Sequence, residues 1–143
     1  PLNAEGLGDL NTLNTLGQLN LTAIQGGDFD PKVWERTIKK LPDEESQQLW
    51  YPLLLGQLNL RSMQGGDFDP KVWERTIKKL TDEESQQLWY TLLLGQLNLR
   101  SMQGGDFDPK VWERTIKKLT DEESQKLWRG ILNNQKLLKS LSN

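Results

Sequence analysis

Residues 66–104 read GDFDPKVWERTIKKLTDEESQQLWYTLLLGQLNLRSMQG, and nearly the same letters stand on either side of them. The motif GQLNL begins at Gly17, Gly56 and Gly95, and GDFDP begins at Gly27, Gly66 and Gly105, so both return every 39 residues. Trp34, Trp73 and Trp112 form one tryptophan series at that spacing; Trp50, Trp89 and Trp128 form another. From Gln57 onward the second unit matches the third letter for letter up to Gln125. A repeat of roughly 20–50 residues is the signature of a solenoid, in which each unit buries its apolar face against the next.

Each unit reads as two helices. The shorter, over Pro70–Leu80, has Asp69 as N-cap and Pro70 at the first helical position, where the missing N–H is not needed. Phe68 and Trp73 have the spacing of a hydrophobic staple across that cap. Val72, Trp73, Ile77 and Leu80 make an apolar stripe, and the last turn is basic, matching the negative end of the helix dipole. The longer helix, over Asp82–Gln103, opens on Thr81-Asp82-Glu83-Glu84, a capping-box pattern. It carries two apolar faces, Leu88/Leu92/Leu99/Met102 and Trp89/Leu93/Leu97, one for its hairpin partner and one for the next unit. Gly104-Gly105 ends it.

Two residues sit awkwardly in this helix. A mid-helix glycine costs about 1 kcal/mol relative to alanine. Gly95 therefore implies either close passage of another backbone or a break, with Gln96–Gln103 a separate short segment in which Leu97-Asn98-Leu99 alternates as a strand would. Pro52, where later copies carry Thr91 and Gly130, is expected to kink or split its helix. At the ends, apolar positions turn polar. Asn11, Thr12, Asn14 and Thr15 replace Trp89, Tyr90, Leu92 and Leu93, while Arg129, Asn133 and Lys136 replace Tyr90, Leu94 and Leu97. That is the logic of capping repeats. The expected architecture is an all-α, right-handed α-solenoid of seven helices forming one repeat domain. It divides into a capping helix at 1–27, repeats at 28–66 and 67–105, and a third repeat with its cap at 106–143.

Trp89-Tyr90, Gly95 and Gly105-Asp106-Phe107-Asp108 together resemble the tetratricopeptide repeat, although the period exceeds that family's roughly 34 residues. The stretch Asp106-x-Asp108-Pro109-x-Val111 is similar to the inter-helix turn of HEAT repeats, whose length suits the period better. The tetratricopeptide resemblance implies a concave surface that holds a peptide or protein. In such an array Tyr51 and Tyr90, Asn59 and Asn98, and Arg61 and Arg100 are the residues expected there in register. Copies this clean also imply amplification of one hairpin, by recent duplication or by design, and thus a scaffold with a structural role.

The chemistry points away from catalysis. The 143 residues include no Cys and no His, which removes thiol nucleophiles, thiolate metal sites and the commonest general base. Near-identical units present the same groups at translated positions, whereas a catalytic site converges different groups on one point. Asp67-x-Asp69 lacks the 6–8 oxygen ligands that calcium takes, and its residues read as cap and turn support. No metal and no cofactor are expected. The basic series Arg36/Lys39/Lys40, Arg75/Lys78/Lys79 and Arg114/Lys117/Lys118 reads as a solvated face, with Glu74 and Lys78 at ion-pair spacing. With 18 Lys+Arg against 20 Asp+Glu, the net charge of −2 argues against nucleic acid. Apolar runs such as Leu92-Leu93-Leu94 fall far short of the ~20 residues of a membrane span. The chain lacks a secretory-signal pattern, so a natural parent is expected in the cytoplasm. Leu137, Leu138 and Leu141 leave the last helix apolar enough for self-association.

Overall fold

The computed structural model describes residues 4–142, with side-chain surroundings from residue 10 onward. It is all-helical: α1 (Ala4–Ile24), α2 (Pro31–Lys39), α3 (Glu44–Met63), α4 (Pro70–Lys78), α5 (Glu83–Met102), α6 (Pro109–Lys117) and α7 (Glu122–Ser142). Each short helix packs on the long helix before it and the long helix after it, and successive long helices touch one another. The result is a two-layer helical-repeat solenoid, with α1, α3, α5 and α7 side by side and α2, α4 and α6 seated in the furrows between them.

The local signals explain the helix ends. Asp69 Oδ1 accepts from the Lys71 N–H at 3.0 Å, and Asp30 and Asp108 do the same for Lys32 and Lys110. The long helices are capped one residue later than expected. Asp82, not Thr81, is the N-cap, and its carboxylate accepts from the Ser85 N–H at 3.1 Å and from Ser85 Oγ at 2.6 Å. The Thr81 N–H points instead to the Gln48 side chain of the preceding unit. At the far end Gly104, at φ 82°, occupies a left-handed position that a side chain would strain. Gly104 donates to Ser101 O and Gly105 to Arg100 O, the paired bonds of a Schellman motif.

Aromatic rings fill the centre of each hairpin. Trp73 is fully buried, edge-on to Phe68 at 5.8 Å and to Trp89 at 6.2 Å, and the other two units repeat the arrangement. The Phe68–Trp73 staple thus forms as its spacing predicts.

Three expectations are corrected. The long helices run unbroken through Gly56, Gly95 and Pro52. No backbone approaches the glycines: a Cβ built on Gly17, Gly56 or Gly95 would meet nothing within 4 Å. The buried face of α5 is Tyr90/Leu93/Leu94/Leu97, with Gln96 and Ser101, while Leu88, Leu99 and Met102 face out and Leu92 is half-buried. A two-layer array leaves each long helix one side without a neighbour, and the leucine–methionine stripe lies on it. Finally, Glu74 pairs with Arg114 of the next unit rather than with Lys78.

Candidate interaction face

The residues read from sequence as a binding surface occupy the joints between units. Tyr51 and Tyr90 are each only 4% exposed. Tyr90 projects from α5 into the short-helix layer, beside Glu74 and Lys78 of α4, Arg114 and Thr115 of α6, and Lys118 at the cap of α6. Burial, with help from the Glu74 carboxylate, pushes its phenol above the usual range; Glu35 adds in the same way to Tyr51. Of the two adjacent aromatics in α3 and in α5, the tryptophan turns back on its own hairpin and the tyrosine forward to the next.

Asn59 and Asn98 belong to a ladder of amides. Gln96 Nε2 donates to Asn59 Oδ1 at 3.0 Å, and Gln135 Nε2 donates to Asn98 Oδ1 at 3.1 Å. The other amide atom is also used: Ser62 Oγ donates to Gln96 Oε1 at 2.7 Å and Ser101 Oγ to Gln135 Oε1 at 2.8 Å. In the first joint Gln57 Nε2 reaches Asn20 Oδ1 at 3.2 Å, but the position equivalent to Ser62 is Ala23. Gln57 Oε1 is accordingly buried with no hydrogen-bond partner among the described residues.

Arg61 and Arg100 clamp the preceding long helix at its carbonyl end. Arg100 Nη2 donates to Ser62 O at 3.2 Å and to Gly66 O, and its guanidinium stands 5.5 Å from the Phe68 ring centre. Arg61 treats Ala23 O, Gly27 O and Phe29 the same way. A cation at that end offsets the partial negative charge of the helix C-terminus, and Lys139 takes the role on α7 by donating to Ser101 O at 2.8 Å.

The outer face of the short helices carries the basic series, partly neutralised. Arg75 meets Glu35 through two bonds of 2.8 and 3.0 Å, and Arg114 meets Glu74 at 2.9 and 3.0 Å. These bonds to carboxylates raise both guanidinium pKa values further. At the edge formed by the turns, a cleft of about 430 Å³ opens between Phe29, Arg61 and Asp67, and a smaller one of about 120 Å³ repeats it at Phe68, Arg100 and Asp106. Among the described residues no group of three or more His, Cys, Asp or Glu side chains is placed to hold a metal.

On the long helices an apolar row remains exposed in register. On α3 it is Leu49, Leu53, Leu60 and Met63; on α5 it is Leu88, Leu99 and Met102, with Leu92 partly covered. On the terminal helices Leu10, Leu21 and Ile24, and Leu127, Leu138 and Leu141, stand at equivalent positions. Residues 10–21, 49–60 and 88–99 contain no charged side chain. At exposures such as 58% for Leu88 and 68% for Met102, these rows put on the order of 1,000 Å² of apolar surface on one face, above the roughly 300–600 Å² of a monomer's largest patch. Sequence reasoning noticed the stripe but assigned it to the core. The available signal was its spacing: 49, 53, 56, 60 and 63 alternate steps of four and three, a straight seam separate from the tyrosine side.

Comparison with protein-family models, with curated proteins and with solved structures found no match.

Proposed function

We propose that this chain is a non-catalytic helical-repeat scaffold, built by amplifying one hairpin, that works by docking apolar protein surface on the outward face of its long helices. One observation carries the reading. At the two ends of the array, positions that would have met a further unit have become polar, as at Arg129, Asn133 and Lys136. The outward rows on the same helices stay largely apolar, at Leu127, Ile131, Leu138 and Leu141 on α7 and at Leu10, Leu21 and Ile24 on α1, where Asn14 is the one polar replacement. Where solvent is the neighbour the sequence has adapted to it; on this face it has kept the composition of a covered surface. The peptide-groove residues suggested by the tetratricopeptide resemblance support the reading less well, because Tyr51, Tyr90, Asn59, Asn98, Arg61 and Arg100 have partners inside the array. The scaffold needs no cofactor and takes neither nucleic acid nor membrane.

The test is titration with 1-anilinonaphthalene-8-sulfonate, followed by displacement with a neutral amphipathic helical peptide. Enhanced, blue-shifted dye emission that the peptide reverses is the expected result. Emission equal to that of dye in buffer, from chain that light scattering shows to be monomeric at the same concentration, would reject the reading.

A further inference from the structure

We infer that the occupant of this face is a second copy of the same chain, the two copies meeting face to face with their long helices antiparallel. This rests on the docking reading above and names its partner.

The first argument is pattern. Leu49, Leu53, Gly56, Leu60 and Met63 on α3, and Leu88, Leu92, Gly95, Leu99 and Met102 on α5, alternate steps of four and three. That is the spacing of a coiled-coil seam, which packs against another helix at a shallow crossing angle. The seam reads alike in both directions about its glycine: an apolar residue lies three or four positions away on each side, and another seven away. A stripe with that reversal symmetry is complementary to itself when turned end for end, which is what an isologous two-fold interface requires.

The second argument is the glycine row. Gly17, Gly56 and Gly95 have open space where a Cβ would point, so no contact within the chain accounts for them. A glycine in mid-helix is costly, and here it forms the floor of a trough between two leucine rows. Small residues at a helix crossing let two backbones approach closely, and an opposing long helix from a second copy would use that space.

The third argument is area and charge. The apolar surface exceeds the roughly 800 Å² that each partner contributes to a standard stable complex. The centre of the face is uncharged, so a copy of itself meets no like-charge repulsion there. Acidic residues cluster at the start of the long helices, at Asp43-Glu44-Glu45, Asp82-Glu83-Glu84 and Asp121-Glu122-Glu123. Basic ones stand near the end, at Arg61, Arg100 and Lys139. Those cations are already held by carbonyls of their own chain, so the gain from antiparallel docking is that it opposes the helix dipoles and sets the acidic starts of one copy's long helices away from those of the other.

The experiment is light scattering with sedimentation velocity on the full chain from about 5 to 500 µM, for the wild type and for the double variant G56E/G95E. Both substitutions enter open space and replace glycine by a better helix former, so the variant is expected to fold with undiminished helicity. The expected result is a wild-type particle of twice the 16.5 kDa chain mass and a variant that is monomeric, its dimer dissociation constant raised at least 100-fold. A second pair, L88Q/L99Q, should also dissociate the dimer. Because the chain has no cysteine, L88C and M102C chains report orientation when mixed under oxidation. The antiparallel arrangement gives a mixed disulfide dimer, and a self-linked L88C dimer would overturn it. A wild-type dimer that survives G56E/G95E, or a wild type monomeric at 500 µM, overturns the inference. In the monomeric case, dye binding that the glutamates abolish leaves the docking reading standing with another occupant, and its absence removes both.

Discussion

Replacing Ala23 by serine should stabilise the protein, and the structure supplies the reason. In the second and third joints a serine hydroxyl donates to the buried glutamine oxygen, Ser62 to Gln96 at 2.7 Å and Ser101 to Gln135 at 2.8 Å. In the first joint the glutamine is equally buried and its amide nitrogen is equally engaged with an asparagine, yet Ala23 offers no donor. An unsatisfied buried acceptor costs about 1–3 kcal/mol, and a made hydrogen bond returns about 0.5–1.5 kcal/mol net. Burying the new hydroxyl takes part of that gain back, so Ala23→Ser is expected to add about 1 kcal/mol. For a chain of this size that corresponds to roughly 4 °C in melting temperature. The reverse changes, Ser62→Ala and Ser101→Ala, each create the Gln57 situation and should cost about 1–3 kcal/mol. Urea unfolding followed by circular dichroism measures all three, and hydrogen exchange in α1 and α3 localises the first, since repeats can open one at a time. A neutral or destabilising Ala23→Ser, beside clear losses for the two serine deletions, would refute the assignment. The first joint would then be satisfied in some way the ladder geometry does not describe.

Three further outcomes are expected. Pro52→Thr, copying Thr91 of the next unit, should restore an interior helix bond and stabilise by about 2–3 kcal/mol, read by scanning calorimetry; an unchanged melting temperature would mean the helix already absorbs the proline. A double-mutant cycle on Glu74 and Arg114 should return a coupling below about 1 kcal/mol, because the arginine side chain is 50% exposed and salt screens it. A coupling of several kcal/mol in moderate salt would contradict this. Hydrogen bonds from Ser46, Ser85 and Ser124 hold Asp43, Asp82 and Asp121 below their ordinary pKa of 3.8. A carboxylate whose folded pKa is depressed contributes stability above its unfolded pKa and loses it as pH falls through the folded value. Stability should therefore be level near neutrality and fall below about pH 4, with Asp82→Asn, which keeps a capping oxygen, flattening part of the decline.

Much of this fold was legible because repetition and capping are local. The period located the units, and Asp69-Pro70 and Gly104-Gly105 located helix ends that the structure places within one or two residues. Less legible was which side of the long helix faces what, since that depends on how many layers surround it. Leu88 and Leu93 are equally apolar letters, and only the absence of a third layer leaves one outside and buries the other. Asn59 and Asn98 read as surface because neither letter shows that a glutamine 37 residues on, from a neighbouring helix, donates to it. Tyr90 looked like groove lining because its tryptophan neighbour was the more obvious core residue.

The bonds that join one unit to the next span 31 to 40 residues of chain, whether they are amide, arginine or glutamine contacts. Within the described array none of these joints has to close a longer loop. Relative contact order therefore falls as units are added, and loop-closure entropy per joint stays fixed. A four- or six-unit version should fold at a rate near that of this one, growing from whichever hairpin forms first. The same shortness carries a hazard during synthesis at high concentration. A hairpin that finds an identical neighbour on another chain before its own forms the same bonds, so runaway swapping is held off by kinetics and by the altered ends rather than by any difference between the joints.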